Sequence, residues 1–237
     1  LLIDLGPDSI SAMHQYRFDP SKLRLLLQTH PHSDHFDPGH LASRAEAYAC
    51  EDALPLEIIA ARRCLEVMAD QVRELEGYEI LQEAWQAEMR LTLSVLEHGQ
   101  SLTRRGYEIT ALESLHHPDF GSQIFLVRQG GQSLLYALDT PAFSEATLAA
   151  LQGAALDLLI IEQTFGRGFK LENQSHFNED SLVRELQLLR EIGCLKAETQ
   201  IYVTHISHEG NPHHQAMAER AAELGYAVAY DGLRLSL

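Results

Sequence analysis

Residues 30 to 35 read His-Pro-His-Ser-Asp-His, which places four metal-ligand side chains within six positions. The apolar run Leu23 to Gln28 (LRLLLQ) leads into them, and Asp37-Pro38 follows as a helix start, with Asp as N-cap and Pro at the first helical position. In an extended segment alternate side chains point the same way, so His30 and His32 can grip one ion together. Asp34 and His35 fall where the chain turns toward the helix, and they address a second point a few ångströms away. Imidazole nitrogens and carboxylate oxygens bind zinc at about 2.0–2.2 Å, and two ions about 3.5–4 Å apart form a hydrolytic pair. The competing reading is a solvated histidine-rich loop. Four donors packed into a strand-to-helix junction argue against it.

Such a run needs completion from elsewhere in the chain. His116 follows the strand expected over Tyr107 to Leu115, Asp139 follows Ser133 to Leu138, and His205 follows Gln200 to Thr204. Each stands at the carboxyl end of a strand, where layered α/β proteins place their sites. With the first run they make seven donors, a count that suits two divalent ions sharing one carboxylate. A water between two such ions has its pKa lowered toward 7, so a bridging hydroxide is the expected nucleophile toward phosphorus or a carbonyl carbon. Asp34 can orient that nucleophile as well as bind metal.

Two further histidines are candidate catalytic groups. His176 precedes Asn178, an expected N-cap with Glu179 and Asp180 in the first turn, and His208 lies three residues past His205. Each could protonate a leaving oxygen or hold a phosphoryl oxygen. The alternative for both is a surface or capping histidine. Asp4 and Glu162 lie near strand ends and could accept the second N–H of a ligating histidine; Asp4 is the stronger candidate. His213 and His214 read as solvated or supporting, and His14, His40 and His98 have no supporting context.

The elements around these residues alternate. Strands are expected at Leu1 to Leu5, Leu23 to Gln28, Pro55 to Ala60, Arg90 to Leu96, Tyr107 to Leu115, Leu156 to Glu162, Gln200 to Thr204 and Ala227 to Tyr230. Ile124 to Arg128 and Ser133 to Leu138 suggest a hairpin around Gly130-Gly131. Helices are expected at Ala61 to about Glu76, Ser144 to Leu151, Asn178 to Ile192 and Pro212 to Leu224. This is the rhythm of a layered α/β protein. No linker-like stretch divides residues 1–237, so a single domain is expected, with residues 45–100 as a candidate cover over the substrate.

Composition narrows the function classes. The chain has 237 residues, 18 Lys plus Arg against 34 Asp plus Glu, and a formal net charge of −16. That acidity argues against nucleic acid as a partner but allows a small anionic substrate at a bound metal. No apolar run is long enough for a membrane span. Cys50, Cys64 and Cys194 are too dispersed for a disulfide framework or a cysteine zinc site, which fits a reduced, cytoplasmic protein. A homodimer is the default oligomer. The chain opens at Leu1, inside an apolar strand and without Met, so a preceding piece is expected, either a targeting segment or further strands.

The series LLIDLGPD, THPHSDH, His116, LLYALDT and VTHISH resembles the metallo-β-lactamase superfamily in order and context over essentially the whole chain. The resemblance implies a four-layer αββα sandwich and a dinuclear metal site. By motif, His30, His32 and His116 would bind the first ion, Asp34, His35 and His205 the second, and Asp139 would bridge; His117 is the alternative to His116. Zinc is the first expectation for the ions, with manganese, iron or nickel as alternatives. SHFNEDSL, THISH and YDGLRL resemble the phosphodiesterase branch typified by the phosphoribosyl cyclic phosphodiesterase of phosphonate catabolism, and more distantly tRNase Z. The Cys-rich zinc segment of the phosphonate enzyme has no counterpart in this sequence. In that branch the histidines matching His176 and His208 contact the phosphate or leaving group. The implied activity is hydrolysis of a small, cyclic or linear, phosphodiester. A lactonase or thioesterase on the same residues and a non-hydrolytic metal protein are the alternatives. The di-iron branch usually carries Glu where this chain has His32, which favours hydrolysis.

Overall fold

The computed structural model describes residues 1–48, 53–169 and 175–237. It divides into two compact units, Leu1–Glu97 with Asp119–Gln123, and His98–Pro118 with Ile124–Leu237. Cys50 and part of the stretch 45–100 lie outside the described residues.

The first unit is built on a four-stranded parallel sheet in the order β1 (Leu2–Ile3), β2 (Leu25–Leu27), β3 (Leu56–Ala60), β4 (Leu91–Val95). Parallel strands are covered on both faces, so they read as unbroken apolar runs rather than alternations. The three leucines of β2 are accordingly at 1%, 0% and 0% exposure. Helix α1 (Ser9–Gln15) lies between β1 and β2, and α2 (Pro38–Ala42) between β2 and β3. Asp37 caps α2 by accepting from the backbone N–H groups of Gly39 and His40, as the Asp-Pro pair led us to expect. Helix α3 (Arg62–Glu76) buries Cys64, Leu65, Met68, Ala69 and Val72 on one stripe and stops at Gly77, whose φ of 78° suits a residue without Cβ. Helix α4 (Glu83–Glu88) precedes β4. Residues 56–60 and 91–95 are therefore strands of this sheet.

The second unit carries a seven-stranded sheet whose strands, in chain order, are β5 (Ser101–Arg104), β6 (Tyr107–Glu113), β7 (Gln123–Gln129), β8 (Gln132–Ala137), β9 (Leu156–Glu162), β10 (Leu195–Thr204) and β11 (Ala227–Val228); their order in the sheet is the reverse. β5–β6 and β7–β8 pair antiparallel, and β8 to β11 run parallel. The crossovers are α5 (Glu145–Leu151), α6 (Glu179–Glu191) and α7 (His214–Leu224). Asn178 caps α6 in a reciprocal box with Ser181. Leu135, Leu159, Ile161, Phe177, Leu182 and Val203 form the centre of its core.

The mixed α/β class is as expected. The differences are local. Helices α1 and α4 bury no residue, so they leave no apolar stripe in the sequence. Strand β5 is short and has no buried position. β10 begins five residues before the expected strand because a register shift lets the polar stretch Lys196 to Thr199 join it. No helix among the described residues is long and apolar enough to cross a membrane.

Burial pushes the Cys194 thiol up to about 12. Burial, with the Asp4 carboxylate adding to it, raises Cys64 well above the usual thiol range. Because the thiolate is the reactive form, neither is expected to be alkylated by iodoacetamide in the native protein at mildly alkaline pH, and both should react after unfolding. Mass spectrometry of pulse-labelled protein checks this, and rapid native labelling at Cys64 or Cys194 would contradict it.

Candidate functional site

In the first unit the candidate ligands leave the end of β2. His30 Nε2 and His32 Nδ1 are 2.8 Å apart. Two lone pairs that close repel unless a proton or a cation stands between them. His35 Nε2 and Asp34 Oδ2 form a second pair at 3.5 Å.

Asp4 holds this loop from behind. It follows β1 with φ 63°, a left-handed conformation that Asp tolerates better than most residues. Its carboxylate accepts from the backbone N–H and hydroxyl of Thr29, at 2.8 and 2.9 Å, from Gln28 Nε2 at 3.0 Å, and from His35 Nδ1 at 2.8 Å. An ionised carboxylate only accepts, so His35 carries its proton on Nδ1 and presents the Nε2 lone pair. The Thr29 hydroxyl spends its one hydrogen on Asp4 and accepts from His30 Nδ1 at 3.0 Å, which leaves the Nε2 lone pair of His30 outward. Gln28 Nε2 also donates to the carbonyls of His30 and His35 at 2.9 and 3.0 Å.

A close backbone approach locks the same loop. A Cβ on Gly6 would stand 2.2 Å from the carbonyl oxygen of Asp34. Gly6→Ala must therefore displace the segment that carries Asp34 and His35. The expected cost is about 1–3 kcal/mol, as for overpacking elsewhere, read from denaturant unfolding; a variant as stable as the parent would contradict the contact.

In the second unit Asp139 follows β8 and His205 follows β10, with φ 51° and 56°. Strained backbone at two candidate ligands is a recurrent mark of functional positions. Asp139 is buried. Its Oδ2 lies 3.4 Å from His116 Nε2 and its Oδ1 lies 3.2 Å from His205 Nε2. One carboxylate thus faces two histidines, one with each oxygen. The far nitrogens are held: His116 Nδ1 donates to the carbonyl of Ser175 at 3.0 Å, and His205 Nδ1 donates to Thr164 Oγ1 at 2.8 Å. Thr164 in turn donates to Glu162.

Glu162 is fully buried. It accepts from the backbone N–H of Thr140 at 2.6 Å and of Phe177 at 3.2 Å, and from His176 Nδ1 at 3.1 Å. The His176 ring packs on both His116 and His205, with centroids 4.6 and 5.3 Å apart. Asp139, His176 and His205 each offer a ligand atom within 4.8 Å of the others.

These donors fit a divalent cation. Two donors about 2.1 Å from one tetrahedral ion stand roughly 3.4 Å apart. The pairs Asp34–His35, Asp139–His116 and Asp139–His205, at 3.5, 3.4 and 3.2 Å, match that spacing. His30 and His32 would part slightly to share an ion.

The second unit brings His116, rather than the adjacent His117, to Asp139. His208 is exposed on the wall of a hollow of about 680 Å³ with His213 and His214, and no hydrogen bond or ring contact joins it to Asp139, His176 or His205 among the described residues. Asp4 and Glu162 both back a histidine, the role expected of Asp4 and one of those left open for Glu162. Thr29, Thr164 and Gln28 were not legible as functional residues. Each acts by joining a histidine or its loop to a carboxylate, and no feature of its own type or spacing announces that.

The family model described as "Beta-lactamase superfamily domain" matches residues 1–231. Several solved structures are similar. YhfI from Bacillus subtilis, a metallo-β-lactamase fold protein, is 18% identical with a TM-score of 0.69, over 98% of this chain and 85% of that one. A diphosphatase from the PhnP family is 21% identical with a TM-score of 0.69, over 100% and 79%. The short form of human tRNase Z is 18% identical with a TM-score of 0.67, over 99% and 86%. At these identities the likeness is one of fold. No curated protein matches the chain. Matched along nearly its whole length, the chain belongs to the beta-lactamase superfamily domain family and has the metallo-β-lactamase fold.

Proposed function

We propose that the protein is a dinuclear metal-dependent phosphodiesterase acting on a small, anionic, linear or cyclic phosphodiester. The observation that carries this reading is the carboxylate of Asp139, with one oxygen toward His116 and the other toward His205. In this reading His30, His32 and His116 hold one ion, Asp34, His35 and His205 hold the other, and Asp139 serves both. Zinc suits the nitrogen and oxygen donors, and manganese, iron or nickel would be accepted by the same set. When bound, such ions supply an acidified water and polarise a phosphoryl oxygen. The phosphodiester preference draws support from neighbours of the same fold, a PhnP-family diphosphatase and a tRNase Z.

The chain's own residues do the rest. Asp34, whose side chain is 60% exposed, would orient the attacking water. His176 is the proton donor to the leaving oxygen. Glu162 fixes its Nδ1, so Nε2 is the atom that gives up the proton. His208 is the candidate for a contact to the distal part of the substrate.

The test is a panel run on protein of known metal content, with bis(4-nitrophenyl) phosphate and a cyclic phosphodiester against lactones and thioesters. Faster phosphodiester turnover is expected; faster lactone or thioester turnover would replace this reading with that of an ester hydrolase. His176→Ala should keep the metal and lower kcat by about 10²–10⁴-fold, the usual worth of a positioned acid. Loss of metal in that variant would make His176 a ligand instead.

A further inference from the structure

Arg44 is half-buried in the first unit, just beyond α2, and no carboxylate pairs with it among the described residues. Its guanidinium donates from Nη2 to the carbonyl of Leu54 at 2.6 Å and from Nε to the carbonyl of Met89 at 3.3 Å. Among the described residues no hydrogen bond is made by Nη1 or by the second hydrogen of Nη2. Buried charges are ordinarily paired, whereas among the described residues this inward-set cation is served by neutral carbonyls. A second cation stands nearby. Burial and then the like charge of Arg90 lower the Arg44 pKa from its usual value.

The same guanidinium lines a cavity of about 240 Å³ whose walls include Leu5, Ile10, Leu23 and Leu56, with Tyr48 exposed beside them. The lining is mainly apolar. Apolar walls with one fixed charge are the usual make-up of a small-molecule site, and the volume falls below the roughly 300–1,000 Å³ of drug-sized sites. A planar guanidinium with free N–H groups matches a carboxylate in a two-point contact. None of these residues is a candidate metal ligand, so the cavity is chemically separate from the hydrolytic reading above and does not depend on it.

We propose that this cavity binds a small amphipathic carboxylate, its carboxylate on Arg44 and its hydrocarbon body against Ile10, Leu23 and Leu56. Titration calorimetry with octanoate, octanol and acetate on the full chain tests it. Octanoate should bind, and octanol and acetate should each bind at least about tenfold more weakly, since each lacks one of the two required features. The binding should survive chelation of metal, which separates it from carboxylate capture by bound ions. Arg44→Met should abolish octanoate binding by removing the charge, and Ile10→Trp should abolish it by filling the cavity while keeping the charge. Octanoate binding no tighter than octanol, loss of binding on chelation, or undiminished binding by both variants would overturn the proposal. The comparison of octanoate with octanol uses the unaltered protein, so it decides the matter even where Arg44→Met does not fold.

Discussion

Asp139→Asn is expected to lose bound metal and hydrolytic activity together, with turnover down by at least about 10³-fold, since metal-assisted charge stabilisation contributes several kcal/mol. Asparagine is the informative replacement. It preserves size and tolerates the φ of 51° that Asp139 adopts, whereas alanine would add backbone strain. The Ser114 hydroxyl donates to the backbone carbonyl of Asp139, a contact that the substitution leaves in place. What changes is the charge, and one oxygen becomes an NH₂ group facing His116 or His205. An amide nitrogen has no lone pair to give an ion, so one of the two histidine pairings at 3.2 and 3.4 Å is lost. Metal content by elemental analysis and turnover of bis(4-nitrophenyl) phosphate are the readouts. A folded Asp139→Asn protein that keeps its metal and its rate would remove Asp139 from the mechanism.

Asp4→Asn should weaken metal retention without touching a ligand. The carboxylate accepts from Gln28, His35 and two donors of Thr29, all buried. An amide offers one acceptor oxygen and sets N–H against N–H at the other position. Leaving buried donors unsatisfied costs about 1–3 kcal/mol each, so a loss of about 2–4 kcal/mol is expected in denaturant unfolding. Freed from Asp4, His35 loses its preferred tautomer, and Thr29 no longer directs His30. Supporting residues of this kind are worth about 10–100-fold in metal affinity, measurable by chelator competition. Unchanged affinity in a destabilised Asp4→Asn protein would show that Asp4 serves the fold alone.

These two residues also mark how far the sequence could be read. The run from His30 to His35 is legible because its donors are local: spacing along one strand end is enough to show shared aim. Asp139 and His205 are legible only as acids and imidazoles at strand ends, and their pairing is set by β8, β9 and β10 lying side by side. Asp4 was a candidate support, but its partners Gln28 and Thr29 were not, because those contacts join positions 24 and 25 residues apart. Thr164 and His205, 41 residues apart, escaped for the same reason. The choice between His116 and His117 turned on which ring faces Asp139, a matter of loop conformation that adjacent identical residues cannot encode by type. The fold followed a similar rule. Elements with a buried stripe, such as α3 and β2, were readable, whereas α1, α4 and β5 bury no residue and left no periodic signal.

The most direct test is elemental analysis of the purified protein, joined to bis(4-nitrophenyl) phosphate turnover before and after exhaustive chelation. Two divalent ions per chain, with hydrolysis that vanishes on chelation and returns on adding metal back, is the predicted result. A metal-free protein that hydrolyses the ester at the full rate would contradict it.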